Sequence, residues 1–317
     1  MQVEVNVLKR RDQASLTAVE QAFHSGPLAQ AVQTAPAIER RRGLSQEQFE
    51  REYRMQNRPV LLEGFVADWP AVRTWSFEHL AKRCASAQVT VNSYSSKTAR
   101  EVNFADFVKM LTANRSATAP IYLQEWYYQT ACPWLAEDMP ELAICQYDFR
   151  RNLYGAEAST NHQLWIGQQG GITRLHQDSY MVDVMHAQLV GEKLWYVMGP
   201  KAELNNNDRG EPDLQGLCQS INTQLMQCLM KPGDVLYLPA MWFHRIELLS
   251  DSIGLGRKCL DESNLKMHIH QRMAELLALS LNPDEVKLTH PELYNVVMIR
   301  NRAWANRMNI DLSKLRP

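Results

Sequence analysis

Between residues 163 and 248 this chain shows a succession of short strand signals broken by Gly and Pro, and this limits its fold more than any other feature. From Gln163 to Lys193 it reads QLWIGQQGGITRLHQDSYMVDVMHAQLVGEK. Leu164-Trp165-Ile166-Gly167 has the character of a buried strand, and Gly170-Gly171 turns it. Gly191-Glu192-Lys193 is a tight turn that launches Leu194 to Met198, again strand-like. Pro232-Gly233-Asp234 is turn chemistry leading into Val235-Leu236-Tyr237-Leu238-Pro239. Many short strands separated by such turns predict a small β-barrel or jelly roll.

Set on those strands are three side chains that a metal could use. His176-Gln177-Asp178 is an HxD pair, and His244 lies 66 residues beyond Asp178. Residues i and i+2 of a strand point to one face, so His176 and Asp178 can converge on one ion, with His244 arriving from a distant strand. Two histidines and one carboxylate on one face of a metal leave positions open, the pattern of non-haem Fe(II) oxygenases. The alternative is three unrelated polar residues in a jelly roll that binds no metal.

The run LWIGxxGxxTxLHxD, then GEK, then PGDVLYLPxxWFH resembles the JmjC (cupin-like) family of Fe(II)- and 2-oxoglutarate-dependent oxygenases, over about Gln163 to Gly256. A looser match, RPVLLEGFVADWPAVRTWSFEHLAKRC at Arg58 to Cys84, is similar to the segment preceding the core in small hydroxylases of that family. The resemblance implies a mainly β core, a double-stranded β-helix, with flanking helices. It implies Fe(II) held by His176, Asp178 and His244, with 2-oxoglutarate as cosubstrate and O2 as oxidant. Lys193, at the family's GxK position, would bind the distal carboxylate of 2-oxoglutarate; the other reading is an exposed lysine that protects a hairpin edge. Thr173 matches a cosubstrate-bonding threonine, or is a threonine of ordinary strand propensity. Tyr122 in IYLQEW resembles a tyrosine reaching the same carboxylate, or is a core tyrosine. His186 is a pocket-lining candidate, or a structural histidine. Relatives carry a threonine-like residue and then an asparagine on the last core strand. Here that strand has Gly256 and Lys258 near those places, so Arg257 or Lys258 either faces an acidic group or points outward.

At 317 residues, with 45% hydrophobic and 22% charged residues, the chain can bury a substantial core. A formal charge of −1 supplies no bulk attraction to nucleic acid or membrane, although a local basic groove would still admit RNA. Lys9-Arg10-Arg11 and Arg40-Arg41-Arg42 read as solvated runs rather than targeting or nucleic-acid elements. The beginning of the sequence lacks the apolar run of a signal peptide, and no stretch is apolar enough to span a bilayer. Six cysteines without CxxC spacing suggest free thiols in a reducing, cytoplasmic compartment.

Three regions are expected. Residues 1–150 form a helical and stranded extension packed on the core, 151–262 the jelly-roll core, and 263–317 C-terminal helices able to form a homodimer. In the first, Ser45 and Gln48 make a capping box for a helix from Gln46 through about Tyr53. A strand follows at Pro59–Phe65, a turn at Trp69-Pro70, and a helix capped by Ser76 that runs through Arg83. Residues 88–94 and Ile121–Trp126 read as strands, Phe104–Leu111 as helix, and Cys132–Leu153 as irregular and suited to covering a substrate. In the third region the Leu265–Leu281 stripe and a helix from near Pro291 are the candidates for the dimer contact.

Without chromatin-reading modules, the resemblance favours hydroxylation of a protein or peptide side chain. Alternatives are N-methyl demethylation, oxidation of a small metabolite, natural product or RNA base, or a catalytically silent binding module. An open groove would favour a polypeptide and a closed cavity a small molecule.

Overall fold

Side-chain alternation decides which way each strand turns its two faces. In Asp183–Val190, Met185, Ala187 and Leu189 pack among buried apolar residues on one side, while Val184 and His186 turn to the other. The computed structural model describes residues 20–21, 23–25, 27–93, 100–113, 120–142, 144, 148–150, 162–178, 181–200 and 224–269.

Thirteen strands are described: β1 (Arg40–Arg41), β2 (Val60–Leu62), β3 (Gln88–Ser93), β4 (Arg100–Asn103), β5 (Ile121–Trp126), β6 (Gln163–Gly167), β7 (Ile172–His176), β8 (Asp183–Val190), β9 (Lys193–Met198), β10 (Met226–Met230), β11 (Val235–Leu238), β12 (Phe243–Leu248) and β13 (Ser252–Cys259). The last eight form two antiparallel four-stranded sheets, ordered β11-β8-β13-β6 and β10-β9-β12-β7. This is the jelly roll that the turn spacing predicts. The earlier strands lengthen the first sheet at both edges, with β2 and β1 beyond β11, and β5, β3 and β4 beyond β6.

The larger sheet has two dry faces. Its outer face carries Leu164, Ile166, Leu255 and Tyr237 against the N-terminal helices. Its inner face meets the smaller sheet through Leu236, Leu238, Trp195, Val197, Ile246 and Leu248. Phe23, Val32 and Ala35 cover the back of the smaller sheet. A segment there also pairs Glu20 with the fully buried Arg245 at 2.9 Å.

Helix ends follow the expected chemistry, with two differences. Ser45 and Gln48 form the capping box, but only Gln46–Phe49 is α-helical. Glu50–Arg54 widens into a π turn, and Arg54 reaches inward to Asp261 at 2.9 Å. Trp69-Pro70 starts a helix rather than a turn. Pro70 sits at the first position of Pro70–Thr74, where its missing N–H costs nothing. Ser76 caps Phe77–Arg83, accepting from the His79 amide at 3.1 Å. Phe104–Ala113 is helical, and within the irregular stretch Pro133–Asp138 forms a 3-10 helix.

The Arg40–Arg42 run is tied down by Asp234, Glu52 and Glu63 at 3.4, 3.1 and 2.7 Å. Cys84, Cys132, Cys228 and Cys259 are buried free thiols. Among the described residues no helix is long and apolar enough to cross a membrane. Lys9-Arg10-Arg11, Cys145, Cys218, the C-terminal stripe beyond Ile269, the helix near Pro291 and any dimer contact they make lie outside the described residues.

Candidate metal centre and the pocket behind it

The two histidines that the sequence separates by almost seventy residues are neighbours in the ladder. His176 ends β7, and His244 on β12 stands directly opposite it. The strand of the third ligand, distant in the sequence, is thus the neighbour of β7 in the sheet. Asp178 lies two residues beyond the end of β7, so chain exit rather than strand alternation brings it back to His176. The ladder shifts register between His244 and Ile246, as a bulge at the rim of the barrel does when it re-aims a side chain.

One ligand atom from each of His176, Asp178 and His244 falls within 4.8 Å of the other two. Each histidine Nε2 lies 3.9 Å from an Asp178 oxygen. His176 Nδ1 is 2.7 Å from the Arg174 carbonyl and His244 Nδ1 is 3.2 Å from that of Trp242. If each Nδ1 donates to its carbonyl, both Nε2 lone pairs face the carboxylate, the tautomer a metal ligand needs.

Burial, followed by the neighbouring His176, pushes His244 down to about 4, so its ring is neutral near pH 7. Burial opposes ionisation of Asp178, but His244, His176 and Lys258 outweigh it and hold the carboxyl below its ordinary value. Neutral imidazole and ionised carboxylate are the states a divalent ion binds. Trp195 stacks on His244 with centroids 5.6 Å apart and planes at 25°.

Behind this triad the inner face is polar but sealed. Lys193 opens β9 with no exposed surface, and Trp195 follows on the same face. Its Nζ is 3.3 Å from His186 Nε2, and 5.9 Å from the Tyr122 ring centroid. No carboxylate pairs with it among the described residues, and burial pulls its pKa down to about 7. Burial, with Lys193 beside it, drives His186 well below the ordinary imidazole value. The Tyr122 hydroxyl, raised by burial, and the Thr173 hydroxyl are buried without a hydrogen-bond partner of ordinary geometry. Thr173 and His186 line the same pocket as the triad. Buried polar groups left this way cost free energy unless something pairs with them. An ammonium beside two neighbouring buried hydroxyls suits an anion with several acceptor oxygens, such as the distal carboxylate of 2-oxoglutarate.

Room for this cluster comes from Gly254 and Gly256 of β13. A Cβ at Gly254 would strike the His186 imidazole and come within 2.9 Å of Lys193 Nζ; one at Gly256 would lie 3.1 Å from Trp165 Nε1. Glycine inside a strand marks such close approaches, and Gly254-Leu255-Gly256 carried that signal. Gly254→Ala is accordingly expected to cost about 1–3 kcal/mol and to displace Lys193. A fall in melting temperature together with weakened anion binding would show it. Trp195, Trp165 and Gln163, which line the pocket, and Gly254, which makes room behind it, have no site role in the sequence reading; Gly256 stands out there only as a departure on the last core strand. Arg257, one of the two basic side chains of β13, is buried with Nη2 3.8 Å from Asp148, and with Lys258 it lines the pocket.

Residues 46–264 match the model of the cupin-like domain. The chain is 25% identical over 250 residues to an Arabidopsis thaliana protein named arginine-specific demethylase JMJ22, covering 72% of this chain and 47% of that one. It is 26% identical over 249 residues to tRNA wybutosine-synthesizing protein 5 of Danio rerio, covering 67% and 72%. It is 22% identical over 284 residues to human bifunctional peptidase and (3S)-lysyl hydroxylase JMJD7, covering 73% and 86%. The chain spans only 47%, 26% and 54% of three plant demethylases that it matches. With a model match across most of its length and a jelly roll that gathers a His-Asp-His triad at its rim, this chain belongs to the cupin-like, JmjC-type family.

Proposed function

We propose that this chain is an Fe(II)- and 2-oxoglutarate-dependent oxygenase that hydroxylates a protein or peptide side chain. The observation that carries the reading is Lys193, a fully buried ammonium with no carboxylate partner among the described residues, set behind a triad of metal-ligand side chains. His176, Asp178 and His244 would hold the ion on one face. Lys193 would receive the distal carboxylate of the cosubstrate, with the Tyr122 and Thr173 hydroxyls donating to it. His186 accepts from the Lys193 ammonium and so aims it, and Trp195 walls the site against water. When bound, iron and 2-oxoglutarate supply the oxidation: O2 is consumed, succinate and CO2 are released, and one oxygen atom enters the product.

A polypeptide substrate is supported by the human relative, named as a (3S)-lysyl hydroxylase, of which the alignment covers most. N-methyl demethylation is the second reading, favoured by the plant relatives' names. It differs in product, because a hydroxylated N-methyl group breaks down to formaldehyde. The extension, core and C-terminal regions are proposed at 1–150, 151–262 and 263–317.

The deciding experiment measures iron- and 2-oxoglutarate-dependent succinate release with a cell extract divided into protein, RNA and small-molecule fractions. Succinate is expected with the protein fraction. Release with only the RNA or the small-molecule fraction would replace the substrate class, and none with any fraction would remove the oxygenase reading.

A further inference from the structure

Besides the metal pocket, a cleft of about 680 Å³ lies between β3 and β5. It opens where two strands stop pairing. Asn92 pairs with Tyr122 and Ser93 with Ile121. Continuing that register would match Val91 with Leu123 and Thr90 with Gln124, yet no such pairs form. β5 instead carries one extra residue between Leu123 and Trp126 against Ile166–Leu164 of β6, a bulge. Gln88 to Thr90, paired with β4 on the other side, therefore face Leu123 to Trp126 across the cleft as two strand edges without a ladder between them.

The bulge places Glu125 in the left-handed region at φ 55°, a conformation that costs a non-glycine residue free energy. Glu125 is exposed, makes no ion pair among the described residues, and lines both the cleft and the metal pocket. A second link joins the two spaces: Gln163 of the metal pocket donates to the hydroxyl of Tyr127 in the cleft at 2.5 Å. Tyr127 and Trp134 in the cleft are 48% and 41% exposed, large apolar surfaces with nothing described over them.

We infer that this cleft binds the substrate as an extended polypeptide, and that Glu125 selects a basic residue beside the one that reacts. Two facing strand edges offer an extended chain its main-chain hydrogen bonds, as in recognition by strand addition. Glu125 is the anionic group where that chain would pass into the metal pocket. Glu125 lines the cleft and the metal pocket alike, so a basic side chain paired with it would sit where the two spaces meet, beside the residue that reacts. Tyr127 and Trp134 add aromatic faces on which a guanidinium or ammonium can rest. The inference rests on the oxygenase reading for the chemistry at the metal, but not for binding in the cleft.

The test uses the full chain loaded with Mn(II) and fluorescent decapeptide pools, random except for one central residue fixed as Arg, Ala or Glu. The Arg pool is expected to bind about tenfold more tightly than the Glu pool. Glu125→Gln should bring the Arg pool to the Ala level, and Glu125→Lys should reverse the order. Glu125→Gly, which removes the charge while relieving the backbone, should lose the preference without a fall in melting temperature. Hydrogen exchange should slow at Gln88–Thr90 and Leu123–Trp126 when the Arg pool is bound. Binding of no pool, an unchanged order in Glu125→Lys, or binding without protection of those amides would each overturn the inference. Succinate release from small molecules alone would overturn the cleft and leave the oxygenase. Charge-selective peptide binding without any turnover would support the cleft and remove the oxygenase.

Discussion

Lys193→Met is expected to raise the melting temperature of the cosubstrate-free protein while weakening 2-oxoglutarate binding by about two to four orders of magnitude. Both effects come from one fact, an ammonium buried without a counter-ion. Methionine has nearly the same length and no charge to desolvate. Replacing buried ionic groups by apolar ones of similar volume is often worth about 1–4 kcal/mol. The loss of affinity is larger because the cosubstrate carboxylate would then be buried with no cation facing it, a penalty of roughly 3–5 kcal/mol.

In the wild type, stability and cosubstrate affinity depend on pH in opposite ways. Lys193 titrates near 7 in the folded protein against 10.5 as a free side chain, so between those values the unfolded chain holds the extra proton. Stability from this group is lowest below pH 7 and grows as pH rises, and the advantage of Lys193→Met should shrink accordingly. Cosubstrate binding needs the ammonium, so in the wild type affinity should fall above pH 7, by up to about tenfold per unit. Thermal scans and titration calorimetry across that range would check both slopes. Unchanged affinity in Lys193→Met would move the role to another basic residue, with Arg174 and Arg257 the first to examine.

Asp178→Ala is expected to abolish activity and lower Fe(II) or Mn(II) affinity by at least a hundredfold, with His176→Ala close behind. Asp178 is the only anionic member of the triad, and both histidine nitrogens lie 3.9 Å from it. Losing it removes the charge that offsets a divalent ion and leaves two imidazoles, a set poor in affinity for Fe(II). Both positions sit at the rim of the barrel, part-buried, so the far-ultraviolet dichroism should be nearly unchanged. Metal analysis after dialysis would show the loss. Full turnover by either variant at limiting iron would exclude the triad as the metal centre.

Much of the jelly roll was legible because its strands are short and end in glycine or proline. Val235–Leu238 after Pro232-Gly233-Asp234, and Lys193–Met198 after Gly191, begin where turn chemistry puts them. Ser45 and Ser76 marked helix starts for the same local reason. What was not legible depends on neighbours far along the chain. The adjacency of β7 and β12 follows from sheet order, which no local pattern encodes, and the bulge at Glu125 exists only against β6. Trp69-Pro70 could have read either way, since proline opens helices as readily as it makes turns. Gly254 and Gly256 had a visible signal, but its meaning required knowing that His186, Lys193 and Trp165 stand across from them.

The most direct measurement follows isotopically labelled O2 through one reaction. The full chain, Fe(II), 2-oxoglutarate and the active protein fraction would be incubated under the labelled gas, and succinate and modified peptides analysed by mass spectrometry. An oxygenase of the kind proposed places one labelled atom in succinate and one in the hydroxylated side chain. Product without label, or label that enters neither molecule while turnover persists without iron, would contradict it.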